Sequence, residues 1–426
     1  MFIIKGKYTS ALIMLRDESM LDKATREQIY AMVSHPAFTN PIVIMPDCHK
    51  GSGSVIGFTM KLGKFVVPNV VGVDIGCGML LLKFSHDRDD LRTRVADIDK
   101  AIRAAVPMGA GEYCNKYFGD MDDVLSRLQI FIRVKLSEYR KACPGDTKFN
   151  NVFNKALAIV ANEKVFTEKF LDKCNLPRTR FLESLGTLGG GNHFIELGEL
   201  DGRYCITIHT GSRQVGLKVA DAYQRIAKKK LIESGEKWSF DLNEAAYLVG
   251  EDSEDYLAAM IIAQTYAFLN RMAISHAITE SLDDIGIKTY DNNEELECIH
   301  NFIDFTDGGT IRKGAISSQA GEMLIVPLSS AAGIILGIGK GNPEWNCSAP
   351  HGAGRVLSRS QANRDLTAEQ IAEAMDGVYA SCTPADESPL AYKDPEMIIE
   401  AVAGTMNIVG IVKPFLSIKS GKSDEH

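Results

Sequence analysis

The sequence predicts an α+β protein, a single large domain in which mixed or antiparallel β-sheets are flanked by helices. Three observations lead there. Apolar stripes of helical period alternate irregularly with short β-branched runs. No Pro-, Ser- or Gly-rich linker, charge block or fixed-period repeat divides the 426 residues. Reactive residues recur in glycine-rich turns along most of the chain, where a rigid scaffold can present them. A composition of 45% hydrophobic and 24% charged residues is that of an ordinary globular protein with a sizeable core, so one domain over residues 1–426 is expected.

The elements follow in order. In the first 20 residues Lys5, Lys7, Arg16 and Asp17 interrupt the apolar character that a signal peptide needs. Ile42–Met45 and Val55–Met60 read as strands, as does Met79–Phe84. From Asp87 to Val106, Leu91, Val95, Ile98 and Ile102 share one helical face, and Leu125, Leu128, Ile132 and Leu136 repeat the pattern. Tyr204–His209 is an alternating strand, Ser253–Leu282 a long helix, and Met323–Val326 and Ile334–Leu336 are further strands. Thr367 with Gln370 forms a capping-box signature before another helix. The polar tail Ser420–His426 is expected to fray. No run reaches about 18 consecutive apolar residues, so a cytoplasmic protein without a membrane segment is expected.

A formal net charge of −8 argues against a protein that coats nucleic acid nonspecifically, since neutralising phosphates normally requires a basic domain. Any nucleic-acid contact must be a local patch. The nine cysteines are odd in number and contain no CxxC pair, which fits free thiols, one of them a metal ligand, better than disulfides.

Six clusters carry candidate chemistry. In VGVDIGCGM, Asp74 and Cys77 lie three apart between glycines, so carboxylate and thiolate can face one borderline divalent ion. The same segment also fits a tight turn with an inert cysteine. In MPDCHKGSG, Asp47 and His49 alternate as strand residues do, which suits a carboxylate orienting a ligand or simply a solvated turn. LGTLGGGNHFIE sets three glycines before Asn192 and His193, permitting close backbone approach to a phosphate beside a metal-binding imidazole. HTGSR places Ser212 and Arg213 after His209, a combination suited to a phosphate, although a strand-end histidine is more often merely hydrogen-bonded. CIHNF contributes His300. In PHGAGR, His351 stands before glycines with Arg355 nearby, leaving an accessible imidazole and a guanidinium able to hold a phosphate.

Taken together, VGVDIGCGM, LGTLGGGNHFIE, HTGSR, CIHNF, HGAGR and AYKD occur in the order found in the RtcB family of RNA-splicing ligases, and the resemblance runs from Pro46 to Lys419. It implies an RtcB-like fold with two Mn2+ ions bridged by the Cys77 thiolate. Asp74 and His193 would complete one ion's protein ligands, and His209 and His300 the other's. His351 matches the family's nucleophile, which attacks the α-phosphate of GTP. The resemblance further implies Asn192 on the nucleotide phosphates, Glu196 and Asn301 near the guanylate, and Ser329 and Gly352 in the nucleotide site. Tyr392 would stack on guanine and Lys419 would meet its edge. Arg213 or Arg355 would stabilise charge at phosphorus. The implied reaction joins RNA bearing a 2′,3′-cyclic phosphate or 3′-phosphate to RNA with a 5′-hydroxyl, in repair or splicing. RNA is the implied partner, with an archease-type activator possible, and a monomer is expected.

The sequence departs from the family pattern at several points. PLSSA stands at Pro327–Ala331 where Pro-Gly-Ser-Met-Gly is expected, Gln214 replaces glycine, Ile299 precedes His300 where a second histidine is usual, and Ala349-Pro350 precedes the nucleophile in place of Cys-Ser. Because PLSSA touches the implied base pocket, an alternative is a metal-dependent RNA-end phosphodiesterase or phosphatase without ligation. A noncatalytic RNA-binding or ribosome-associated factor is a third reading, which the complete ligand set disfavours.

Overall fold

The computed structural model describes residues 1–83, 90–109, 114, 120–235, 245–289 and 294–421, whose strands form three sheets. The first has six strands in the order β1 (Phe2–Lys5), β2 (Ser10–Ile13), β3 (Ile42–His49), β4 (Ile56–Lys61), β10 (Thr310–Lys313) and β9 (Asn301–Asp304). β2 and β3 are parallel and the other pairs antiparallel. The second is antiparallel throughout, in the order β12 (Met323–Ser329), β13 (Gly333–Gly339), β15 (Met406–Ile418), β6 (Phe194–Leu200), β7 (Arg203–Thr210), β5 (Gly78–Lys83) and β8 (Glu294–Ile299). β11 (Ala315–Ser317) and β14 (Ser348–Pro350) pair separately. This is the expected α+β architecture of mixed and antiparallel sheets flanked by helices.

Strand alternation decides what each face buries. In β5, Leu80 and Leu82 enter one core while Met79 and Leu81 enter the core on the opposite face. The helical stripe Leu91, Ile98 and Ile102 closes the first of these faces with Ile274 and Ile278. The stripe Leu125, Leu128, Ile132 and Leu136 packs instead into a larger core beside the six-stranded sheet. Helix Gly250–Asp284 joins the two cores: Tyr256 to Leu269 supply the larger one, Ile274 to Leu282 the other. By length and composition this is the one described helix apolar enough to cross a membrane, which the sequence reading had not expected; 89% of the relevant window is buried inside the protein.

Most expected elements appear with shifted ends. The strand expected at Ile42–Met45 continues to His49, and Thr367 with Gln370 does form a capping box, on helix Ala368–Ala374. The helix expected from Asp87 is described as Asp90–Thr93 and Val95–Ala105, parted at Arg94, whose side chain donates to the Ile285 carbonyl at 2.7 Å. Phe84 and Asp87 lie outside the described residues. The tail does not loosen at Ser420, which is buried, and residues 422–426 lie outside the described set. All nine cysteines are free thiols.

Candidate active site

Strand register brings four distant segments to one end of the seven-stranded sheet. Cys77 precedes β5, His193 precedes β6, His209 lies near the end of β7 and His300 follows β8. Those four strands are neighbours in the order β6-β7-β5-β8, with Phe194 and Met79 each opposite His209 and Gly78 opposite Ile299. Adjacent strands lie about 4.8 Å apart, so antiparallel pairing brings the four segments to one end of the sheet. The chain also passes between the two large sheets here, from β4 to β5 through the Asp74 segment and from β8 to β9 at His300.

The resulting geometry suits metal. Asp74, Cys77 and His193 form one group, and Cys77, His209 and His300 a second, with the donor atoms of each within 4.8 Å of one another. Cys77 Sγ lies 3.6 Å from His193 Nε2 and 3.5 Å from His209 Nε2, and His209 Nε2 is 3.5 Å from His300 Nε2. A tetrahedral ion bound at about 2.1–2.3 Å holds its ligands about 3.5 Å apart, so these separations are close to those a shared metal requires. Their outer nitrogens are already engaged: His193 Nδ1 donates to the Leu188 carbonyl at 2.9 Å, and His209 Nδ1 to the Asn192 carbonyl at 3.0 Å. His209 thereby presents a bare Nε2 to the centre, while His193 Nε2 faces the Asp74 carboxylate at 3.0 Å.

Burial sets the protonation states. It pushes the Cys77 thiol well above its ordinary range, and the nearby Asp74 carboxylate adds to the effect. It pushes His209 and His300 well below theirs, helped by neighbouring imidazoles, so both are neutral at pH 7. Asp74 is also raised by burial, but its hydrogen bond to His193 at 3.0 Å and the charges around it prevail and hold it at about 2. The Ser212 amide donates to the same carboxylate at 3.1 Å.

Gly211 is required by that arrangement, because a Cβ there would collide with the Asp74 carboxylate. Gly211→Ala is expected to weaken metal binding on the order of 10–100-fold, the usual effect of displacing a ligand's support, and calorimetric titration with Mn2+ would read the loss directly.

His351 follows β14, and its ring centroid stands 4.9 Å from that of His300. Its Nδ1 donates to Oδ2 of the fully buried Asp47 at 2.7 Å, which leaves Nε2 with the free lone pair. A cavity of about 330 Å³ opens from this group, with Asn192, Glu196, Asn301, Ser329, Gly352, Arg355, Tyr392 and Lys419 in its walls. Glu196 accepts from Ser417 at 3.0 Å, and burial raises its pKa against the opposing charge of Lys419.

Arg213 stands apart from the other expected residues. Its backbone is left-handed (φ +53°), a conformation costly for a side-chain-bearing residue. Its guanidinium donates to Thr187 and to the Gly109 carbonyl, both at 3.2 Å, outside the cavity walls. Sequence reasoning missed Arg359 and Glu387, which do line the cavity. Glu387 is buried and accepts from Tyr392 at 2.6 Å, Arg359 at 2.9 Å and Arg355 at 3.4 Å, with Lys419 at 3.6 Å. Its only sequence signal was its place five residues before the tyrosine of AYKD.

A family model described as tRNA-splicing ligase RtcB matches residues 28–420. The RNA-splicing ligase RtcB of Escherichia coli K12 is 32% identical, over 92% of this chain and 93% of that protein. The tRNA-splicing ligase RtcB of Thermococcus kodakarensis is 26% identical over 93% of this chain and 91% of its own length. That of Nanoarchaeum equitans is 27% identical over 98% and 93%.

Proposed function

This chain belongs to the RtcB family, and from that membership we propose that it is a GTP-dependent RNA ligase working through a guanylylated His351. The observation that carries the reading is His351 itself: an oriented imidazole with a free nitrogen, beside two potential metal groups that share one thiol.

Asp74, Cys77 and His193 would hold one Mn2+, and Cys77, His209 and His300 the other. Thiolate and imidazole softness favours such an ion over magnesium. When bound, the ions supply positive charge to the oxygens around phosphorus. His351 Nε2 attacks the α-phosphorus of GTP, forming a P–N bond as the bond to pyrophosphate breaks. The Asp47 carboxylate holds the proton on Nδ1 and balances the charge that develops on the ring. A 3′-phosphate oxygen of the RNA then displaces His351 from phosphorus, a cyclic phosphate having first been opened by water. The 5′-hydroxyl of the second RNA attacks the activated 3′-phosphate and expels GMP.

In this reading Asn192 and Gly352 meet the nucleotide phosphates, and Glu196, Asn301, Ser329 and Lys419 surround the guanylate. Arg355 packs over Tyr392 at 5.3 Å, so the base takes the other face of that ring. Arg355 also offers its charge to the phosphates, whereas Arg213 acts at a distance, its charge helping to keep Asp74 ionised. RNA carrying a 2′,3′-cyclic phosphate, incubated with 5′-hydroxyl RNA, Mn2+ and GTP, should yield a joined product that disappears when GTP is omitted. Opening of the cyclic phosphate without GTP and without joining would instead support a phosphodiesterase.

A further inference from the structure

Two consecutive residues of helix Gly250–Asp284, Asn270 and Arg271, have no accessible surface although they interrupt an apolar run. They sit where the helix passes from the larger core, which ends with Leu269, to the core beginning at Ile274. A buried amide and a buried guanidinium are tolerated only when their hydrogen-bonding groups are used.

The partners are all segments that carry the candidate ligands. Asn270 Oδ1 accepts from the Gly186 and Thr187 amides at 2.8 and 3.2 Å, and Nδ2 donates to the Thr187 and Gly211 carbonyls, both at 3.1 Å. Arg271 donates to the Gly76 carbonyl at 2.9 Å and the Thr210 carbonyl at 2.8 Å. Its Nε and the other terminal nitrogen donate to Glu297 Oε1 at 3.0 and 2.5 Å. Gly76 adjoins Cys77, Thr210 and Gly211 follow His209, Thr187 precedes the loop to His193, and Glu297 stands three residues before His300.

We propose that Asn270 and Arg271 are the positioning residues of the metal centre, a two-residue template on one rigid helix that fixes the separation of all four ligand-bearing segments. The proposal rests on the metal-binding reading above. Strand pairing aligns the segments across the sheet, but Gly76, Thr187 and Gly211 lie beyond the ends of β5, β6 and β7, where ladder bonds of that sheet no longer fix them. Fixed donors on a helix replace that missing constraint. Lysine at position 271 keeps the charge but has no planar fork, so it cannot bond the Gly76 and Thr210 carbonyls and Glu297 together.

Titration of the full-length protein with Co2+ tests this, because a cobalt–thiolate bond gives an ultraviolet charge-transfer band. The wild type should bind two ions with that band. Arg271→Lys and Asn270→Ala should bind cobalt on the order of 10–100-fold more weakly, the range for displaced ligand support, with a shifted or weakened band. Glu297→Ala, at a partly exposed position, releases Arg271 without emptying the core and should reproduce the effect in smaller size. Variants that melt at lower temperature yet keep wild-type affinity and band would overturn the template. A wild type lacking any band would instead overturn the metal reading beneath it. Should Arg271→Lys fail to fold, Glu297→Ala alone decides.

Discussion

Alanine in place of His351 is expected to abolish covalent labelling of the protein by α-phosphate-labelled GTP and to slow RNA joining on the order of 10⁴-fold or more, as loss of a nucleophile typically does. His300, whose ring is 4.9 Å away, is buried and belongs to a metal group, and His49 lies in the cavity wall with Nδ1 3.2 Å from the Asp47 carbonyl oxygen. Asp47→Asn should give a graded result: the nucleophile remains, but its carboxylate partner becomes an amide that can present its N–H to the ring and favour the wrong tautomer. Labelling at reduced rate in that variant, with none in His351→Ala, separates the chemical role from the orienting one. Undiminished labelling of His351→Ala would remove this histidine from the mechanism.

Serine in place of Cys77 should be nearly as severe, since one sulfur belongs to both donor groups. Its consequence can be read without any RNA. Metal requires the thiolate, and burial keeps Cys77 protonated in the free protein. Asp74 is already ionised at pH 7, with its pKa held at about 2, and His209 and His300 are already neutral. Binding should therefore release at least the Cys77 proton, and the affinity should fall on the order of tenfold for each unit by which pH is lowered. A serine hydroxyl does not ionise in this range, so Cys77→Ser should lose affinity on the order of 100-fold or more together with that proton. Calorimetry in two buffers of different ionisation enthalpy measures both quantities. An unchanged proton count in the variant would exclude Cys77 as the ligand.

Much of the site was legible as short strings. Cys77, His193, His209, His300 and His351 each stand beside glycine, asparagine or a strand end, and Asp74 lies in the same glycine-rich turn as Cys77, where a reactive side chain can be shown to a ligand. Asn270 and Arg271 gave a signal that went unread: a polar pair within AFLNRMAIS must find partners if the helix is buried. Arg213 was named from its motif, but a motif does not say which way a guanidinium turns. Its backbone is left-handed and its guanidinium bonds Thr187 and Gly109.

By itself the sequence determined the α+β class, the main helical stripes, the strands with clean alternation and the chemical kinds of the site residues, because these depend on local periodicity and side-chain chemistry. Only the tertiary structure decided that β6, β7, β5 and β8 are neighbours, and that Glu387 and the Asn270–Arg271 pair hold the surrounding walls. Strand order and buried hydrogen bonds join residues far apart in the chain, and their energies come from partners that no local window contains.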